Sequence, residues 1–117
     1  MQWYISKLVF QLINNEMLTT QFNEQVKLIG ADDELQAFNK ARIIGDNTCL
    51  QCKSGETTIK FIDVSELQLL TEVKDGLSLI SNLVCNVSAE DYICKTQKSA
   101  SCLFQKGLHD FAATNNF

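Results

Sequence analysis

Residues 3–13 are apolar in both phases of a two-residue alternation. Trp3, Ile5, Val9 and Ile13 fall on one face, and Tyr4, Leu8, Phe10 and Leu12 on the other. A strand with two apolar faces must be covered twice, so it runs through the middle of a sheet or lies at an interface. Asn14-Asn15-Glu16 opens a turn. Residues 22–29 then alternate again, with Phe22, Val26 and Leu28 opposed to Asn23, Gln25 and Lys27. The two runs predict a hairpin with a longish loop.

A helix follows. Asp32-Asp33-Glu34 places acids at its positive end. Ala37, Phe38, Ala41 and Ile44 form its apolar stripe, with Leu35 at the edge. Arg42 falls in the last turn and Gly45 reads as the cap. Residues 48–53 and 57–64 predict a second hairpin around Ser54-Gly55-Glu56. Residues 65–73 cross over to a turn at Lys74-Asp75-Gly76, and residues 77–87 read as a long strand. Ser88 caps the last helix, with Asp91 three residues on. Tyr92, Ile93, Thr96, Ala100, Leu103 and Phe104 share one arc of it, and Gly107 is expected to end it. The order ββαβββα predicts an α+β fold: an antiparallel sheet of about five strands with both helices on one face. Residues 1–111 are expected to form one domain, with 112–117 a flexible tail.

Composition narrows the function. The chain has 117 residues and a net charge of −4. No basic stripe is present, which argues against nucleic acid as a partner. The start, Met1-Gln2-Trp3-Tyr4, has no basic segment, and Gln11 interrupts the apolar run. Neither a signal peptide nor a membrane span is expected. Five cysteines, an odd number without framework spacing, fit a reducing compartment, so the expected location is cytoplasmic. All five glycines are taken up by strand ends, turns and helix stops, there is no proline, and His109 is the one histidine. Phosphate loops, nucleophile elbows and metal clusters need residues of these kinds. The reading is therefore no catalytic residues, no metal and no cofactor.

Each candidate site has a bland alternative. Cys49-Leu50-Gln51-Cys52 is a C-x-x-C, but a strand would point its thiols to opposite faces, and no second ligand pair accompanies it. A core Cys52 and a surface Cys49 is the plainer reading. Cys94, Lys98 and Cys102 are four residues apart and lie opposite the apolar arc, near Lys95 and Lys106. An ammonium beside a thiol favours the thiolate, so these are candidate reactive thiols; incidental surface cysteines are the alternative. Asp32-Asp33-Glu34 and Glu90-Asp91 read as helix starts. Asp63 and Glu66 form a slightly better carboxylate pair, with no cleft to hold them. His109 reads as a surface residue near the chain end.

Several runs carry a resemblance. Trp3-Tyr4, Lys7-Leu8-Val9-Phe10-Gln11, Phe22-Asn23-Glu24-Gln25, the helix around Ala37 and Lys40-Ala41, Lys60-Phe61-Ile62-Asp63-Val64 and Lys74-Asp75-Gly76 are similar to a family of small bacterial proteins catalogued as a domain of unknown function, family 4288. The resemblance covers most of residues 1–80. It implies a fold and a bacterial origin, but no activity and no catalytic residues, and the cysteines are not part of its pattern.

The expectation is a non-enzymatic interaction module, either self-associating or binding a protein partner, with immunity-like or inhibitor-like proteins as one subtype. Trp3, Tyr4 and Ile5 are the candidate interface on the second sheet face, since the first strand is more apolar than helices on one face can cover. The alternative is a thiol-dependent, redox-responsive protein using Cys94 and Cys102.

Overall fold

The computed structural model describes residues 1–14, 16, 19–51, 57–71 and 88–115. Three strands and two helices follow in the order ββαβα: β1 (Gln2–Asn14), β2 (Thr19–Ala31), α1 (Glu34–Gln51), β3 (Thr57–Leu69) and α2 (Ala89–Asn115). The strands form an antiparallel sheet ordered β2-β1-β3, so the two-faced apolar strand is central, as its pattern requires. The expected hairpin is present, with Gln2 opposite Ala31 and Asn14 opposite Thr19.

The α+β class therefore holds, but five strands are not seen. Residues 48–51, expected in a strand, continue α1. The apolar spacing of Ala37, Ala41, Gly45 and Cys49 is helical and runs straight through the supposed cap. Gly45 is buried inside the helix because an ideal Cβ there would lie 2.5 Å from the Phe61 ring. Gly107 repeats the pattern. It is buried within α2, where a Cβ would meet the Leu35 backbone at 3.3 Å, and the helix continues to Asn115. Neither glycine stops a helix; each lets a neighbouring element approach closely. The expected turns at Gly55 and Gly76 and the strand over 77–87 lie outside the described residues.

β3 is longer than expected. Residues 65–69 were to begin a crossover, yet they continue the strand. Two register shifts hide this in the sequence. Lys7 faces Glu66 while Leu8 faces Val64, and Val9 faces Asp63 while Phe10 faces Phe61. Ser65 and Ile62 are thus extra residues, and each breaks the alternation once.

One core cluster joins Tyr4, Leu8 and Phe10 of β1 to Ile29 and Ala31 of β2, Ala37, Phe38 and Ala41 of α1, Val64 of β3 and Ala100 of α2. Phe10 and Phe61 pack with ring centroids 5.3 Å apart, and Phe38 and Phe104 at 5.9 Å. Burying a side chain such as Leu8, Phe10 or Phe38 contributes about 1.5–3 kcal/mol. The opposite face of β1 is covered over part of its length, with Val9 and Lys7 both buried. There Tyr92, in the first turns of α2, packs on Phe22 with centroids 4.5 Å apart. The hairpin register places Phe22 and Glu24 on the Lys7–Val9 face. Both helices were expected on one face. Instead, α2 reaches residues of both, with Tyr92 on one and Ala100 in the main core.

Candidate functional site

The helix starts are capped as their acids suggest. The Gln36 amide donates to Asp33 Oδ1 at 2.7 Å, and the Asp32 amide donates to Gln36 Oε1 at 2.7 Å. This is a reciprocal cap. The Asp91 amide donates to Ser88 Oγ at 3.1 Å. Asp33 and Ser88 are thus engaged in holding helices.

Asp63 and Glu66 do not act as a pair. Arg42 lies mid-helix in α1, not in its last turn, and grips Asp63 with both ends of its fork, Nε to Oδ1 at 3.0 Å and Nη2 to Oδ2 at 2.9 Å. The same guanidinium lies 4.5 Å from the Phe38 ring centroid. Glu66 instead accepts a hydrogen bond from Lys7 Nζ at 3.0 Å. Lys7 also approaches Glu24 Oε2 at 3.6 Å, and the Tyr92 hydroxyl donates to Glu24 Oε1. Burial, the Glu24 hydrogen bond and the charges of Glu24 and Glu66 hold the Tyr92 phenol well above its ordinary range. This network ties α2 to all three strands. Sequence reasoning missed it, although a lysine amid an apolar strand was its visible sign.

Beyond Lys7 the same face is bare. Register places Trp3 opposite Gly30, Ile5 opposite Leu28 and Lys7 opposite Val26. Alternation therefore gathers Trp3, Ile5, Val26 and Leu28 on one surface. Trp3 is 46% exposed, Val26 43% and Leu28 58%. Met1 joins them, since Met1 and Trp3 both lie over Gly30. Val26 and Leu28 were legible as one face of a strand; their union with Trp3 depends on the register. Tyr4 drops out of this surface. It is buried on the other face, its hydroxyl donating to Gln2 Oε1 at 3.1 Å. Burial, followed by the charges of Glu34 and Asp33, raises its phenol above the usual value.

The cysteines separate. Cys49 stands on α1 rather than on a strand, half-buried against the core, and Cys52 lies outside the described residues. The C-x-x-C thus has its first thiol near a helix end and not on a strand face. Cys94 and Cys102 are exposed on α2 and unbridged. With Lys98 between them they line a groove of about 630 Å³, closed on the sheet side by Ser65. His109 is exposed, with Asp110 Oδ1 3.8 Å from its Nδ1. Among the described residues no cluster of three His, Cys, Asp or Glu side chains could hold a metal, and no helix is long and apolar enough to cross a membrane.

No curated protein and no solved structure matches the chain. A family model, described as a domain of unknown function, matches residues 3–81. The match takes in β1, β2, α1 and β3, and with them the bare face; α2 and its thiols lie beyond it. On that match the chain belongs to the DUF4288 family.

Proposed function

We propose that this protein is a non-enzymatic interaction module whose docking surface is the bare half of the β1–β2 face. One observation carries the reading: Trp3, Ile5, Val26 and Leu28 converge on one surface, while Tyr92 of α2 packs on Phe22 at the other end of that face. A contiguous apolar patch with a charged margin is characteristic of protein-binding surfaces. Here Glu24 and Glu66, both held by the buried Lys7, supply the margin. Trp3 is the kind of large, semi-rigid anchor that dominates interface energies.

A second copy of the chain is the occupant to test first. β2 forms one edge of the sheet among the described strands, so the patch lies beside that edge. Two copies can meet there through a two-fold axis using identical surfaces. A basic protein is the second choice, favoured by the net charge of −4. The engagement of Asp33, Asp63 and Glu66 in a cap and ion pairs supports binding over acid–base chemistry. A cytoplasmic setting is part of this proposal.

The experiment is sedimentation velocity across a wide concentration range, with Trp3 emission followed in parallel. The chain has a single tryptophan, so its emission reports the patch directly. Concentration-dependent dimerisation with a blue shift, abolished by Leu28→Asp, supports self-association. A monomer throughout with unchanged emission rejects it. Stoichiometric capture of one cellular protein, lost in Leu28→Asp, would then identify the alternative partner; a capture unaffected by that change would place the interface elsewhere.

A further inference from the structure

The groove along α2 has a chemistry the bare face lacks. Cys94, Lys98 and Cys102 are spaced four residues apart and so stand on one side of the helix. Lys95 and Lys106 join them, against Asp91 as the one acid in the lining. In a chain of net charge −4 this is a local excess of positive charge. Lys106 approaches Glu34 at 3.6 Å, whereas Lys95 and Lys98 make no ion pair among the described residues. The floor mixes Leu103 with the Ser65 and Ser99 hydroxyls. Ser65 is there because the β3 bulge makes it an extra residue, and its hydroxyl donates to the Lys7 carbonyl at 3.4 Å.

The two thiols cannot pair with each other. Eight residues of helix separate them by about 12 Å along the axis. A disulfide needs Cα atoms within about 7 Å. A disulfide at either thiol therefore requires a sulfur from outside the groove, and the lysines set its charge.

We propose that the α2–β3 groove is a site for mixed-disulfide formation with an anionic low-molecular-weight disulfide. The Cys94 or Cys102 thiolate attacks one sulfur of the incoming disulfide. A new S–S bond joins the protein to that half. The old S–S bond breaks, and the departing thiolate takes up the proton that the cysteine released. The protein thiol is oxidised and the small disulfide reduced. Lys95 and Lys98 hold the ligand's carboxylates.

Oxidised glutathione serves as the anionic probe and cystamine as a cationic one of the same reaction type. The full-length chain is treated with each under identical conditions, and adducts are timed by intact mass and placed by peptide mapping. Oxidised glutathione should modify Cys94 or Cys102 about fivefold faster than cystamine, the scale that one or two exposed charge contacts supply. That preference should fade with added salt. Lys95→Glu and Lys98→Glu should each abolish it, since either change brings the charge of the lining to zero, with thermal melts showing that the fold persists. Should either variant fail to fold, the salt dependence of the unaltered chain decides. Equal rates for the two probes, a preference indifferent to salt, or adducts confined to other cysteines would overturn the proposal.

Discussion

Gly45 of α1 rests directly against the ring of Phe61 on β3, so close that a β-carbon would stand 2.5 Å from two of its atoms and 2.7 Å from a third. Glycine inside a helix costs about 1 kcal/mol relative to alanine, and here that cost secures a close helix–sheet contact. Gly45→Ala should therefore destabilise the protein by about 1–3 kcal/mol, against its helix propensity, as overpacking does. The Phe61 ring would have to shift, disturbing its packing on Phe10, its neighbour at 5.3 Å. Urea denaturation checks this. Pairing Gly45→Ala with Phe61→Leu should recover part of the loss, since the smaller side chain vacates the contested space.

The same glycine shows what could be read from the sequence. β1, β2 and the starts of both helices were legible, because a continuous apolar run, an alternating one and capping residues are all local signals. The end of α1 was not. A glycine four residues past Ala41 fits a cap and fits a close contact equally well, and only Phe61, sixteen positions on, distinguishes them. Gly107 against Leu35 is the same ambiguity in α2. β3 was cut short because Ser65 and Ile62 disturb its period. The apolar patch was half legible: Trp3 and Ile5 were named, but Tyr4 was counted with them. Which of two apolar faces a helix covers is a tertiary fact.

The Arg42–Asp63 pair predicts a specific intolerance. Lysine keeps the charge of arginine but loses the fork that spans both carboxylate oxygens and the flat guanidinium that lies over Phe38. Arg42→Lys is expected to lower stability by about 1 kcal/mol, measured by chemical denaturation. Asp63→Asn on top of Arg42→Lys should add less than it does alone, because the pair is already broken.

Tyrosine ionisation should report folding at high pH. The chain has two tyrosines, Tyr4 and Tyr92. Both are raised above the ordinary value of about 10, chiefly by burial. The unfolded chain thus releases these protons at lower pH than the folded one. Their contribution is complete below about pH 10 and is lost as pH rises through the folded values. Tyrosinate absorbance should stay low in the native protein at a pH where free tyrosine is largely ionised, then rise together with the loss of circular dichroism. Tyr92→Phe should flatten the alkaline fall in stability.

Ser6 is fully buried on the core face of β1, and its hydroxyl has no hydrogen-bond partner among the described residues. Replacing an unsatisfied buried hydroxyl with a methyl removes a desolvation cost. Ser6→Ala is expected to raise the urea midpoint by an amount equivalent to about 1 kcal/mol, with an unchanged slope. A lower midpoint would mean that the hydroxyl is satisfied after all.

The reach of α2 across both faces sets an order of events during synthesis. Tyr92 meets Glu24 over a separation of 68 residues. The β1–β2 hairpin leaves the ribosome long before that partner exists, with Phe22 awaiting the Tyr92 ring. Contacts so distant in sequence form slowly, and the nascent chain carries an uncovered apolar sheet face until its C-terminal helix emerges. Ribosome-bound chains stopped before residue 88 should accordingly recruit chaperones that release once α2 has docked.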